Sequence, residues 1–341
     1  MPDPSTIPAP GGAPMRKVGI AGLGAYSPGK VLANADLEKM VDTSDQWIVE
    51  RTGIRTRRVA RPDQATSDLA VEASRGALAQ AGIAPEAVEL IVVATVTPDM
   101  PFPSTACVLQ ERLGSFRAAC FDLNAACSGW LYAMDIAWQC VRSGRYENAL
   151  VVGAEKLTAI TDWKDRNTCV LFGDGAGAAV LAPTGPSGGE IRSAYLGADG
   201  RLQKLLYLPG GGSRNPASHE SVEARLHYIR MEGREVFKHA VTAMIRAAEI
   251  ALDRAGLTID DVSWLVPHQA NVRIMSAVAK RLGIPRERVI SIIDHIGNIS
   301  AASIPVALAE AAADGTIKPG DTLLLVAFGG GLTWGAVVLT M

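Results

Sequence analysis

The sequence predicts an α/β protein built from one unit used twice. Three landmarks share a single offset of 174 residues. The helix end Ala77-Leu78-Ala79-Gln80-Ala81-Gly82-Ile83 matches Ala251-Leu252-Asp253-Arg254-Ala255-Gly256-Leu257. Asn124 falls on Asn298 and Cys127 on Ala301, and Leu150-Val151-Val152-Gly153 falls on Leu324-Leu325-Val326-Ala327. A register kept from residue 77 to residue 153 marks a repeated structural unit. The strands within each unit are near-continuous apolar runs, as in sheets covered on both faces by helices.

Taken in order, residues 1–14 are proline-rich, with neither a basic start nor an apolar core. They read as a disordered lead-in and not as a secretory signal. The first unit, residues 15–185, holds the helix closed by Gly82, the strand Leu90-Ile91-Val92-Val93 and a short strand within Arg117 to Leu123. Trp130 to Val141 is apolar almost all round and predicts a helix buried in the centre of the domain. Pro183-Thr184-Gly185-Pro186-Ser187-Gly188-Gly189 is the seam to the second unit, residues 186–341. There, residues 199–226 form an insertion rich in glycine and basic residues, expected to be a surface excursion. Glu232 to Arg254 has helical spacing through Val236, Phe237, Ala240, Val241, Met244, Ile245 and Ala248. The uncharged stretch Leu323 to Met341 is interrupted by Gly329-Gly330-Gly331, which favours two buried strands and a glycine turn over a membrane helix.

A net charge of -2 offers no general attraction to nucleic acid or acidic membranes. The cysteines at 107, 120, 127, 140 and 169 have no framework spacing, which suggests a reducing, cytoplasmic setting without disulfides or a zinc site. The five histidines are dispersed, so no metal cluster is visible. Gly22-Leu23-Gly24 leads into Ser27-Pro28, and Gly173-Asp174-Gly175-Ala176-Gly177 precedes a strand-like run. Neither opens a helix, so neither suits a nucleotide phosphate.

Cys127 lies at a strand-to-helix junction, where unpaired N–H groups and the helix dipole favour a thiolate. Alone, a cysteine in apolar surroundings is more often an inert core residue. The second unit supplies partners. His268 follows a strand directly in Val266-Pro267-His268-Gln269-Ala270-Asn271, with Asn271 as the cap of the next helix. Asn298 occupies the junction equivalent to that of Cys127, where an N-cap is the plain alternative. Gly329-Gly330-Gly331 can present N–H groups to an oxyanion, or be only a tight turn. A pseudo-twofold pairing of the units would bring the helix starts near 127 and 301 together.

With these residues in view, nearly everything after Met15 resembles the β-ketoacyl-acyl-carrier-protein synthase III family, condensing enzymes of the thiolase superfamily that prime fatty-acid synthesis. The motifs are Asp45-Gln46-Trp47-Ile48-Val49-Glu50-Arg51-Thr52-Gly53-Ile54, Asn124-Ala125-Ala126-Cys127-Ser128-Gly129, Phe172-Gly173-Asp174-Gly175-Ala176-Gly177, His268-Gln269-Ala270-Asn271, Gly297-Asn298 and Phe328-Gly329-Gly330-Gly331. The resemblance implies a duplicated thiolase-like fold of five α/β/α/β/α layers. It makes Cys127 the acylated nucleophile, with His268 and Asn298 completing the triad and the N–H groups of Cys127 and Gly330 forming an oxyanion hole. The implied substrates are a short acyl-CoA, acetyl-CoA first, and malonyl-acyl carrier protein, with no metal or redox cofactor.

The same resemblance assigns coenzyme A binding to Trp47, Arg51, Arg166 and Asn271, with Trp47 and Arg166 sandwiching the adenine. It assigns the acyl pocket to Phe102, Leu157 and Phe328, with Phe102 reaching in from the neighbour in a homodimer. Carrier docking falls to Arg273, Lys280 and Arg281. The plain alternatives are a core role for Trp47 and a solvated face for the basic residues. Four positions depart from the pattern: Ile299 for threonine, Trp130 and Leu332 for phenylalanine, and Asn167 for glycine. Trp130 and Leu332 are expected to reshape the interior near the acyl chain, and Asn167 bears on the adenine clamp. Elongating synthases carry histidine at the Asn298 position, and degradative thiolases carry a late second cysteine, which this chain lacks after Cys169. A condensing enzyme of secondary metabolism with another starter or acceptor would keep the Cys-His-Asn set.

Overall fold

The apolar runs become strands of two mixed sheets in a computed structural model that describes residues 15–185 and 188–341. The lead-in at 1–14, and residues 186 and 187 of the seam, lie outside the described residues. The first unit comprises β1 (Val18–Tyr26), β2 (Lys30–Ala33), α1 (Asn34–Leu37), α2 (Asp45–Thr52), β3 (Thr56–Val59) and α3 (Thr66–Ala81). It continues with β4 (Leu90–Ala94), α4 (Thr105–Leu113), β5 (Ala119–Leu123), α5 (Gly129–Arg142), β6 (Ala149–Lys156), α6 (Arg166–Cys169) and β7 (Asp174–Pro183). The second unit comprises β8 (Glu190–Ala198), β9 (Leu206–Tyr207), α7 (His219–Glu223), β10 (Arg230–Met231), α8 (Gly233–Ala255) and β11 (Trp264–Pro267). It ends with α9 (Val272–Leu282), α10 (Ile293–Ile296), α11 (Ser303–Ala313), β12 (Thr322–Gly329) and β13 (Thr333–Thr340).

The duplication extends to strand pairing. One sheet runs β1-β7-β6-β4-β5 and the other β11-β12-β13-β8. In each, a parallel pair (β4 with β6, β11 with β12) is followed by antiparallel neighbours. The place of β5 in the second sheet is marked by a parallel bridge between Leu265 and Val289.

Strand alternation then sets the layers, because successive side chains face opposite sides of a sheet. Ile91 and Val93 pack outward with Leu69, Ala73 and Leu109 of α3 and α4. Val92 and Ala94 pack inward with α5 and α11. In the second sheet, Leu324 and Val326 face α8 and α9, while Leu323 and Leu325 face the shared centre. The result is five layers, with α5 and α11 between the sheets. Close approach in this centre needs a glycine: a Cβ on Gly153 of β6 would lie 2.4 Å from the Ala301 carbonyl oxygen.

Two expectations need correction. Helix α5 is not buried all round, since Ile136 is 38% exposed and Gln139 is also exposed. Apolar composition gives a helix its core face but does not say whether its far side is covered. The insertion at 199–226 is not only a surface excursion, because Gln203, Leu206, Tyr207, Leu208 and Gly210 line the central cavity. Among the described residues, no helix is long and apolar enough to cross a membrane.

Candidate active site

Two turns of the same shape meet at the centre, the first leading from β5 into α5 and the second from α10 into α11. After β5, the Asn124 Oδ1 accepts the Ala126 N–H at 3.3 Å, Ala126 adopts φ 47°, and residues 126–128 form a 3-10 turn into α5. In the second unit, the Asn298 Oδ1 accepts the Ser300 N–H at 2.9 Å, Ser300 adopts φ 47°, and residues 300–302 form the turn into α11. The turns touch: a Cβ on Gly129 would lie 3.7 Å from the Ala301 Cβ. The end of β12 presses on the first turn, where a Cβ on Gly329 would sit 2.6 Å from the Cys127 nitrogen. Only glycine permits that approach, and it brings the backbone at Gly330 to the Cys127 turn.

His268 emerges at the end of β11, where its N–H donates to the Val326 carbonyl at 2.8 Å. The ring is 2% exposed, and its Nδ1 lies 2.7 Å from the Oγ of buried Ser303, the first residue of α11. That oxygen also accepts the Gln269 N–H at 3.4 Å. Gln269 fastens the loop, donating to the Pro267 carbonyl at 2.7 Å and accepting the Ile292 N–H at 2.9 Å. Burial pushes the His268 pKa down to about 3, so the ring is neutral at physiological pH.

The thiolate expectation is overturned. Burial pushes the Cys127 thiol up to about 12, and the Glu155 carboxylate acts in the same direction. The Ser300 hydroxyl and the Cys127 N–H oppose this but do not win. The physical reason is position: Cys127 lies in a short turn ahead of α5 and is half-buried in the cavity wall, where a charge is poorly solvated.

Cys127, His268, Asn298, Ser300, Phe328 and Gly330 line one cavity of about 1350 Å³. Leu157 and Asn271 also line it, and the Asn271 Oδ1 caps α9 by accepting the Ile274 N–H at 2.9 Å. Trp47, Arg51, Arg166, Phe102, Arg273, Lys280 and Arg281 are not among the lining residues. The Arg51 and Arg166 guanidinium carbons lie 4.4 and 4.6 Å from the Trp47 ring centroid. An intervening ring needs about 7 Å, two van der Waals contacts, so Arg166 must swing away to admit one. Arg166 is held where it is by donating to the Asp42 carbonyl at 2.7 Å.

Phe102 is 85% exposed, beside the cavity wall formed by Pro98, Asp99, Met100 and Pro101. Arg273, Lys280 and Arg281 are exposed on α9, whose buried stripe is Ile274, Met275, Val278, Ala279 and Leu282. Trp130 and Leu332 are each 1% exposed and do not line the cavity, and Leu332 packs in one core cluster with Phe328, which does. Trp130 is instead turned into the core, with Nε1 donating to the Val151 carbonyl at 3.3 Å. Ile299 is fully buried, and Asn167 is exposed and bonded to Asp165.

Sequence reasoning missed Ser303, Ser300 and Glu155. The first two carry hydroxyls where the offset of 174 places Gly129 and Ala126, and Glu155 is a lone acid ending an apolar strand. Among the described residues, no group of three His, Cys, Asp or Glu side chains is placed to hold a metal.

Known proteins give this arrangement its context. Residues 121–200 match the family profile for 3-oxoacyl-(acyl-carrier-protein) synthase III, and residues 252–341 match its C-terminal profile. A β-ketoacyl-(acyl-carrier-protein) synthase III of Caldanaerobacter subterraneus subsp. tengcongensis is 58% identical over 94% of this chain and 97% of its own length. The crystal structure of 3-oxoacyl-(acyl-carrier-protein) synthase III from Aquifex aeolicus VF5 is 47% identical, with TM-score 0.89 over 95% of this chain and 100% of that one. The priming β-ketosynthase of the R1128 polyketide pathway is 36% identical, also with TM-score 0.89, over 96% of this chain and 98% of that one. These likenesses, which cover 94–95% of the chain, establish that it belongs to the β-ketoacyl-(acyl-carrier-protein) synthase III family of condensing acyltransferases.

Proposed function

We propose that the chain joins a short acyl-CoA, acetyl-CoA first, to malonyl-acyl carrier protein by decarboxylative condensation, giving 3-oxoacyl-acyl carrier protein and initiating fatty-acid synthesis. The observation that carries this reading is that Cys127, His268 and Asn298 line one cavity, with His268 and Asn298 each held from behind. Asn298 spends its oxygen on the Ser300 N–H, which leaves its amide hydrogens for a ligand. In this reading the Ser303 hydroxyl, which also receives the Gln269 N–H, donates its hydrogen to His268 Nδ1, and the ring carries its own hydrogen on Nε2.

The chemistry follows in two halves. The Cys127 thiolate attacks the acyl thioester, the oxyanion is held by the N–H groups of Cys127 and Gly330, and coenzyme A leaves. Malonyl-acyl carrier protein then binds and loses carbon dioxide, and the electron pair moves to its thioester oxygen. The Nε2–H of neutral His268 and the Asn298 amide donate to that enolate. Its carbon attacks acyl-Cys127, and the thiolate is released. Coenzyme A itself is held by Trp47 and Arg166 on its adenine, and by Arg51 and Asn271 along its path.

Leu157 and Phe328 border the acyl chain, and Phe102 of a second copy closes that pocket in a homodimer. Support for the homodimer comes from the edge strand β5, which carries exposed Phe121, and from the exposure of Phe116 and Phe102. Arg273, Lys280 and Arg281 receive the acidic carrier protein. The enzyme works in the cytoplasm as two fused halves, residues 15–185 and 186–341, and needs no metal or redox cofactor.

The equal structural likeness to a polyketide priming synthase supports a second reading, a secondary-metabolic enzyme with another starter. One experiment separates these. Labelled acetyl-CoA is incubated with the enzyme, the labelled residue is mapped, and branched and longer acyl-CoAs are set in competition with acetyl-CoA, with malonyl-acyl carrier protein as the acceptor. Label on Cys127 and preference for acetyl-CoA are expected. Preference for a longer starter moves the enzyme to the second reading, and no label on Cys127 removes both.

A further inference from the structure

Beside Cys127 lies a buried acid that the condensation above does not use. Glu155, near the end of β6, is fully buried. Its carboxylate accepts the Val96 N–H at 3.1 Å, the Thr97 hydroxyl at 2.7 Å and the Thr95 hydroxyl at 3.2 Å. The charged groups next to it turn elsewhere. Lys156 donates to the carbonyls of Gln64 and Arg61, and Asp174 on β7 accepts from Thr158 and the Ala60 N–H. A buried carboxylate without a cation resists ionisation, and burial pushes Glu155 up to about 7.

Ser300 belongs to the turn that packs on both elements: a Cβ on Gly153, two residues before Glu155 on the same face of β6, would lie 2.4 Å from the Ala301 carbonyl oxygen, and one on Gly129 of the Cys127 turn would lie 3.7 Å from the Ala301 Cβ. The Ser300 hydroxyl lies beside both the acid and the thiol and favours the charged form of each, yet forms a hydrogen bond of full geometry with neither. It is a buried oxygen without a partner, on a residue held at φ 47° in the cavity wall. Such an orphan is costly unless it serves something, and backbone strain of this kind concentrates at working sites.

We propose that Ser300 and Glu155 form a proton relay that serves Cys127, so that Glu155 is the base for the acylation half-reaction. The thiol hydrogen passes to the Ser300 Oγ as the Ser300 hydrogen passes to the Glu155 carboxylate. The thiolate then forms its bond to the acyl carbon, the carbon–sulfur bond to coenzyme A breaks, and the same hydroxyl returns the proton from Glu155 to the departing sulfur. Cys127 ends acylated, coenzyme A ends as a thiol, and Glu155 ends as a carboxylate. The neighbouring imidazole is a poorer acceptor: His268 is held near 3, and its Nδ1 is committed to Ser303. The relay rests on Cys127 being the acylated nucleophile.

The test uses the full chain and three variants, Glu155→Gln, Ser300→Ala and Glu155→Asp. Alanine at 300 copies Ala126, which already holds φ 47° in the twin turn. Alkylation of Cys127 by iodoacetamide is followed from pH 5 to pH 10, beside acetyl transfer from acetyl-CoA and decarboxylation of malonyl-acyl carrier protein. In the parent, alkylation rises through neutral pH with Glu155 ionisation. In Glu155→Gln and Ser300→Ala that limb is lost and acetyl transfer falls roughly a hundredfold, the usual worth of a general base. Decarboxylation stays within about twofold of the parent, since general-base help to the thiol plays no part in it. Glu155→Asp regains part of the neutral limb. A Glu155→Gln alkylation profile that superimposes on the parent overturns the relay, as does an equal loss of acetyl transfer and decarboxylation. Because alkylation needs no acyl-CoA, it reads the relay even where acyl transfer from the chosen starter fails.

Discussion

The turn at 124–129 and the turn at 298–303 share one backbone and divide the chemistry between them. Each opens with an asparagine whose side chain accepts the N–H two residues on, and each places that residue at φ 47°. One turn then carries Cys127 where the other has Ala301, and Ala126 and Gly129 where the other has Ser300 and Ser303. The first supplies a nucleophile, the second the groups that position donors and protons. Solvent separates the two asparagines as well: Asn298 is 7% exposed, whereas Asn124 is an exposed residue. A duplicated fold thus yields an asymmetric site without any change of backbone path.

The largest expected effect breaks the site along that division. Cys127→Ala is expected to abolish acyl transfer from acetyl-CoA while still releasing carbon dioxide from malonyl-acyl carrier protein. Asn298→Ala is expected to do the reverse, keeping Cys127 labelling and losing roughly a hundredfold to a thousandfold in decarboxylation, as for removal of one preorganised donor. Carbon dioxide release and mass mapping of the acyl group read the two halves separately. Parent-rate decarboxylation by Asn298→Ala would show that the second turn does not hold the enolate.

Next in size is an effect on stability. The folded-state pKa of Glu155 stands at about 7, above its ordinary 4.5, so the folded protein holds a proton that the unfolded chain releases between those values. Its contribution is therefore fully present below pH 4.5 and lost as pH rises through 7. His268 runs the other way: its folded value of about 3 lies below 6.5, so stability is present above pH 6.5 and falls as acid protonates the unfolded chain. Glutamine at 155 cannot ionise. Relative to the parent, Glu155→Gln is expected to be more stable at pH 8 than at pH 5, by up to ~3 kcal/mol. Urea unfolding at both pH values checks this, and a difference independent of pH would refute it.

A smaller effect is expected from Ser303→Ala, which frees His268 to take the other tautomer. Decarboxylation should fall about tenfold, near the worth of one hydrogen bond to a buried group, with acylation nearly unchanged. Nitrogen NMR of the imidazole supplies the readout that a packing defect would not move. The Nε2–H form is expected in the parent and a mixture in the variant.

Much of this was legible in the sequence, and the failures have physical causes. The offset of 174 exposed the repeat because helix ends and buried strands keep their residue types under duplication. Cys127 and His268 stood out because each follows a strand, and Asn298 because the offset of 174 sets it on Asn124; the structure brings all three to one cavity, although α10 and not a strand precedes Asn298. The thiolate expectation failed because a local motif carries helix polarity but not desolvation, and desolvation dominates at Cys127. Ser303 and Glu155 were invisible because their roles arise from contacts across the fold, with Ser303 lying 35 residues from His268.

The smallest effect sharpens the opening comparison. If the two asparagines differ only in what their amides face, removing the first should cost the turn and nothing chemical. The Asn124 bond to Ala126 is long, at 3.3 Å, and its residue is exposed, so water replaces much of what is lost. Asn124→Ala is expected to lower stability by about 0.5–1 kcal/mol, the net worth of an ordinary hydrogen bond. Decarboxylation should match the parent, and Cys127 labelling should stay within about twofold, far from the loss typical of a missing oxyanion donor. The paired measurement is Asn124→Ala beside Asn298→Ala, each assayed for unfolding and for carbon dioxide release. Similar stability losses with a rate loss in Asn298→Ala alone would show that the turns share architecture and not chemistry. A large decarboxylation defect in Asn124→Ala would mean that the first turn also holds the enolate, and the division between the halves would fail.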